Sequence, residues 1–109
     1  MKAMFQECKE LISLNLSNFN TSKVEDLSFI FNQCQKLKEI KGINNFNTSQ
    51  VKNMSCMFQE CNELENLDLS NFDTSKITDL SFIFSLCYNL KEIKGKNKFN
   101  TNQVNNMRK

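Results

Sequence analysis

Two hydrophobic periodicities alternate along the chain. In the first, Leu11-x-x-Leu14-x-Leu16 spaces leucines three and then two residues apart. This predicts a short strand with Leu14 and Leu16 turned to a core and Ser13, Asn15 and Ser17 turned to water. In the second, Val24, Leu27, Phe31 and Cys34 step by 3, 4 and 3 residues with Ile30 beside them, the spacing of one face of a helix. Ser22, with Glu25 three residues on, fits a capping box at the start of that helix. Ser49 and Ser75 repeat the cap without the glutamate.

Both patterns recur. Phe19-Asn20-Thr21-Ser22 returns as Phe46-Asn47-Thr48-Ser49, Phe72-Asp73-Thr74-Ser75 and Phe99-Asn100-Thr101-Asn102, at spacings of 27, 26 and 27. A Phe-x-x-Cys signature marks Phe5/Cys8, Phe31/Cys34, Phe58/Cys61 and Phe84/Cys87. The alternating spacing points to a unit of two repeats, and residues 4–56 match residues 57–109 at 36 of 53 positions. The longer member carries one extra residue around Ile40-Lys41-Gly42-Ile43 and Ile93-Lys94-Gly95-Lys96, and Gly42 and Gly95 are the chain's only glycines. Glycine tolerates positive φ, so each is read as absorbing the insertion in a bulge or turn.

A strand plus a helix of this size exposes an apolar face that only a stacked neighbour covers. The pattern therefore predicts an α/β fold: a right-handed leucine-rich-repeat solenoid with short parallel strands on one face and short helices on the other. Residues 1–109 form a single repeat domain of about four units, partial at both ends. Expected core columns are Phe19/Phe46/Phe72/Phe99, Phe5/Phe31/Phe58/Phe84, Val24/Val51/Ile77/Val104 and Leu27/Met54/Leu80/Met107, the last showing the similar-volume exchange a packed core tolerates.

The run from Cys61 to Phe84, which joins Leu64-x-x-Leu67-x-Leu69-Ser70-Asn71-Phe72 to Asp73-Thr74-Ser75-Lys76-Ile77 and a segment ending in Phe84, resembles the repeat of BspA-like leucine-rich-repeat surface proteins. The resemblance covers essentially the whole chain. It departs at Ile30 and Ile83, where the family carries methionine, and at alternate strands, where Lys-Glu-Ile-Lys-Gly replaces Leu-Asp-Leu-Ser. The resemblance implies a protein displayed at the cell surface or outside the cell and a role in adhesion, with a protein or glycan partner.

Bulk properties narrow the alternatives. A chain of 109 residues suits one domain, and 39% hydrophobic with 24% charged residues is ordinary for a folded one. A net charge of +2 is too small to suggest a nucleic-acid partner. The longest apolar runs, such as Phe29-Ile30-Phe31, fall far short of the ~20 residues of a membrane span, so no membrane insertion is expected in this segment. Met1-Lys2-Ala3 leads straight into a repeat without a secretion signal. That is compatible with targeting encoded outside the segment or with a cytoplasmic protein. Neither end carries an atypical capping repeat, which predicts exposed apolar edges and fraying or end-to-end self-association.

Reactive chemistry is not expected. Cys8, Cys34, Cys61 and Cys87 stand 26 or 27 residues apart and the chain has no histidine, whereas zinc sites pair ligands a few residues apart. They are read as core thiols. Bridges between neighbouring coils are disfavoured because packed helices stand about 8 to 10 Å apart, beyond the ~7 Å limit for bridged Cα atoms. Cys56, in the column of Phe29 and Phe82, is expected to be the less buried thiol. No nucleophile with a base and no glycine-rich phosphate loop is recognisable. No catalytic residue, cofactor or metal is therefore assigned. The asparagine columns Asn18/Asn45/Asn71 and Asn20/Asn47/Asn100 read as turn-forming amides. Asn15-Leu16-Ser17, Asn20-Thr21-Ser22, Asn47-Thr48-Ser49 and Asn53-Met54-Ser55 also match the short glycosylation acceptor.

The candidate partner-binding surface is the outward face of the strands. Stacking in register gives one row of Asn15, Lys41, Asp68 and Lys94 and another of Ser13, Glu39, Asn66 and Glu92. Asp68 then lies between two lysines. The competing reading is a solvated face whose charge pairs contribute roughly 0.2 to 1 kcal/mol each. Lys36, Lys38, Lys91, Lys96 and Lys98 add a modest basic flank. Function is accordingly expected to be non-catalytic recognition or adhesion, with an intracellular structural or protein-interaction scaffold as the alternative.

Overall fold

The computed structural model describes residues 1–99. The expected column members Asn100, Val104 and Met107 and the chain end at Met107-Arg108-Lys109 lie outside the described residues. Among the described residues four three-residue strands form in chain order: β1 (Ser13–Asn15), β2 (Glu39–Lys41), β3 (Asn66–Asp68) and β4 (Glu92–Lys94). β1 pairs with β2 and β3 with β4, both parallel.

The segments with helical spacing fold otherwise. Among the described residues there is no α-helix, only 3-10 turns at Ile43–Asn45 and Lys96–Lys98. Each presumptive helix is a run of turns whose backbone donors alternate in direction. The N–H groups of Leu27, Phe29, Phe31 and Gln33 point sideways to the carbonyls of Asn53, Ser55, Met57 and Gln59 in the next repeat, at 2.8 to 3.0 Å. Those of Ile30, Asn32, Cys34 and Leu37 turn back to the carbonyl three residues earlier, at 3.1 to 3.4 Å. Left-handed backbone at Phe29 and Gln33, repeated at Ala3 and Glu7, Cys56 and Glu60, and Phe82 and Leu86, makes this alternation possible and prevents a continuous right-handed helix.

The capping box dissolves for the same reason. The Ser22 N–H and Oγ–H both donate to Asn20 Oδ1, and Glu25 pairs with Lys52 of the next repeat at 3.6 Å. The device is general. Asn15, Asn20, Asp26, Asn47, Asn53, Asp68, Asp73 and Asp79 each accept the backbone N–H of the serine two residues on, an Asx turn built from an Asn/Asp-x-Ser triplet.

The expected α/β leucine-rich-repeat solenoid is therefore corrected. The protein is a small β-rich body, 32 × 30 × 21 Å, with two separate parallel strand pairs and turns where the helices were expected. Side chains with a 3, 4, 3 spacing reach one interior from successive turns as readily as from a helix, so apolar periodicity alone does not separate the two.

The interior is arranged in columns. Phe5, Phe31, Phe58 and Phe84 stack with ring centroids 6.0, 5.5 and 5.9 Å apart, an arrangement that adds to the burial energy. Val51, Ile77, Leu27, Met54 and Leu80 are buried. Phe46, Phe72 and Phe99 are buried whereas Phe19 is exposed. Buried Thr21 and Thr48 each tie two repeats together: Thr21 Oγ1 accepts the Asn47 N–H at 2.8 Å and donates to its carbonyl, and Thr48 does the same with Asp73. Gln6, Asn32 and Gln59 join in an amide ladder. Among the described residues no buried side-chain N or O atom lacks a partner.

All five cysteines are free. Cys34, Cys61 and Cys87 donate their thiols to the carbonyls of Phe5, Phe31 and Phe58 at 3.0 to 3.2 Å. Burial pushes Cys34 and Cys87 up to about 11 and Cys61 further still. The less buried thiol is Cys8, not Cys56. The Cys56 side chain is buried where its column mates Phe29 and Phe82 are partly or largely exposed, because a smaller side chain fits beneath the surface at that left-handed position.

Candidate functional site

Among the described residues every buried side-chain N and O atom has a hydrogen-bond partner, and the outward strand residues form the candidate surface. The sequence register holds within each pair. Ser13 lies opposite Glu39 and Asn15 opposite Lys41, while Asn66 lies opposite Glu92 and Asp68 opposite Lys94. The central residues Leu14, Ile40, Leu67 and Ile93 turn inward and the flanking ones outward, as period-two alternation requires.

Between the pairs the expected four-strand face is broken. β2 and β3 share no ladder, and most of their Cα atoms stand more than 8 Å apart, against the ~4.8 Å of paired strands. On the opposite side of the body the same two repeats remain joined, through the Met54 N–H to the Asp79 carbonyl at 2.9 Å and the parallel bridge of Asn53 with Asp79. The two repeats are clamped at the turns and splayed at the strands.

The splay follows from the extra residue. Gly42 takes φ +86° and starts the 3-10 turn Ile43–Asn45, whose Ile43 is buried. The turn abuts β3, and the Asn71 side chain donates to the Asn44 carbonyl at 3.1 Å. Gly42 itself lies against β1's end: an added Cβ would fall 2.5 Å from Ser17 N and 2.9 Å from Leu16 C. Gly95 repeats the geometry against Ser70 and Leu69.

An open groove of about 610 Å³ lies over this gap and extends across β3 to β4. Six of the eight sequence-selected residues, Glu39, Lys41, Asn66, Asp68, Glu92 and Lys94, line it. Ser13 and Asn15 lie outside it on β1. Lys38 joins the rim from the basic flank, and Gly42, Ile43 and Asn44 close one end. These last three were missed as site residues, although the alternating repeat length pointed at them.

Asp68 is the best-defined charge in the groove. It accepts the Ser70 N–H at 3.1 Å and the Ser70 hydroxyl at 2.5 Å, and these bonds, aided by Lys94, hold its carboxyl below the usual range. Lys41 faces Asp68 across the splay instead of beside it, so the expected placement of Asp68 between two adjacent lysines becomes one paired lysine and one across the gap. Exposed ion pairs Lys36–Glu10 at 2.9 Å and Lys91–Glu65 at 3.9 Å join partners within each pair of repeats.

Among the described residues, no three His, Cys, Asp or Glu side chains gather as a metal-holding group, and no helix is long and apolar enough to cross a membrane. No curated protein and no solved structure matches the chain. One family description matches the sequence from residue 1 to residue 109, and the chain belongs to that family, Mycoplasma protein of unknown function, DUF285.

Proposed function

We propose that this chain is a BspA-like surface-protein repeat that acts as a non-catalytic recognition or adhesion module, binding a protein or glycan through its strand-bearing face. One observation carries the reading: a solvent-open groove of about 610 Å³ gathers six outward polar and charged strand residues while the interior polar side chains are internally satisfied. The repeat sequence from Cys61 to Phe84 supports surface display and adhesion through its resemblance to the BspA-like proteins.

Binding of the purified protein to arrays of extracellular-matrix proteins and glycans tests the reading. Lys41→Glu and Asp68→Lys should abolish the signal, and Lys23→Glu, exposed and away from the groove, should leave it intact. A signal unaffected by the groove variants would refute the site. The second reading, an intracellular structural or interaction scaffold, is favoured by five free thiols, since reducing compartments preserve thiols. Protease shaving of intact cells separates the two: loss of the protein supports surface display, and survival supports the scaffold.

A further inference from the structure

Resting on that recognition reading, we infer that the groove between β2 and β3 takes an extended peptide strand, paired through its backbone to the open edges of both strands.

Each of these strands is bonded on one side only, β2 to β1 and β3 to β4. In a parallel ladder alternate residues direct their N–H and C=O groups to opposite sides, so each strand presents an unused edge to the gap. Exposed edges of this kind template the addition of another strand. Most Cα pairs of β2 and β3 stand more than 8 Å apart, too far for a direct ladder at ~4.8 Å, so the two open edges face each other across a gap.

The lining selects among occupants. Glu39 and Asn66 flank the first outward position of an inserted parallel strand, and Lys41 and Asp68 flank the position two residues on. The first favours lysine or arginine, and the second an uncharged polar residue able to bond both signs. The inward position between them is flanked by Ile40 and Leu67, both buried and both lining the groove, so it admits a small uncharged residue. The peptide chemistry is therefore basic, small, polar over about three residues, the length of the strands. A peptide backbone is favoured over a glycan because the groove offers open strand edges for main-chain pairing and no aromatic residue lines it.

Fluorescence anisotropy with short fluorescein-labelled peptides varied at these three positions tests the inference on the full chain. The expected result is saturable binding that prefers Lys-Ala-Ser over Glu-Ala-Ser and Lys-Phe-Ser at the centre, with slowed amide exchange confined to Glu39–Lys41 and Asn66–Asp68. N-methylation of alternate peptide amides should weaken binding roughly tenfold, equivalent to about 1.4 kcal/mol. The Glu39→Lys, Lys41→Glu double variant, altered only at exposed positions, should reverse the charge preference. Binding that tolerates N-methylation, or exchange protection elsewhere, overturns the inference. A glycan that binds the groove while all peptides fail overturns it but leaves the recognition reading standing, and failure of every matrix protein, glycan and peptide overturns both.

Discussion

Replacing Gly42 by alanine tests the physical link between the longer repeat and the splayed strands. Gly42 has φ +86°, which costs an L residue about 1 to 2 kcal/mol, offset by about 0.4 to 1 kcal/mol from the stiffer unfolded chain. The new methyl group would also fall 2.5 Å from Ser17 N, 2.7 Å from Ser17 Cα and 2.9 Å from Leu16 C. All three are backbone atoms, so no rotamer change relieves the overlap. Moving β1 away stretches the Leu16 N–H bond to the Lys41 carbonyl, now 2.8 Å, at about 1 kcal/mol, and residual overpacking adds a further ~1 kcal/mol or more. The sum is a destabilisation of about 3 kcal/mol, a Tm fall on the order of 10 to 20 °C. Urea unfolding followed by circular dichroism measures it, and amide exchange should show Leu16 losing protection first. Gly95→Ala, with contacts of 2.7 to 2.8 Å, should behave alike. A Gly42→Ala change below about 0.5 kcal/mol, the range of an ordinary surface substitution, would refute the turn geometry and with it the cause assigned to the groove.

Further outcomes follow from the turns and thiols. Glu60 holds φ +62°, so Glu60→Gly should stabilise by about 0.5 to 1 kcal/mol, the left-handed penalty less glycine's entropy cost, while Glu60→Ala shows no such gain in urea unfolding. Iodoacetamide should label partly exposed Cys8 first and leave Cys34, Cys61 and Cys87 protected until the chain unfolds, as peptide mass mapping would show. Because folding raises the Cys34 and Cys87 pKa values from 9.0 to about 11, the unfolded chain loses these protons first. Their stabilisation is full below pH 9 and declines as pH rises toward 11, so Cys34→Ala should flatten the alkaline fall in unfolding free energy relative to the parent. Asp68, whose pKa is lowered chiefly by Ser70, contributes stability above its unfolded value that is lost as pH falls through the lowered one. Ser70→Ala should move the Asp68 titration, read by carboxyl NMR shifts, up toward 3.8.

Much of this molecule is legible in its residues. Repetition identifies the columns, because each like residue meets its copy one unit away: Phe5, Phe31, Phe58 and Phe84 stack as their spacing requires. Alternation across three residues sets which strand side chains face water, and the only two glycines stand where backbone closeness and positive φ exclude every Cβ. What the residues alone left undecided is the direction of the backbone hydrogen bonds. Val24, Leu27, Phe31 and Cys34 satisfy helical spacing, yet Phe29 and Gln33 take the left-handed region without being glycine. Only the bonds from Phe29 and Gln33 to Ser55 and Gln59 of the next repeat offset that cost, and those partners are more than twenty residues away. The groove has the same origin. The extra residue beside Gly42 is visible in the sequence, but whether it bulges harmlessly or parts two strands depends on the turn Ile43–Asn45 meeting β3, a contact that exists only once the repeats are packed.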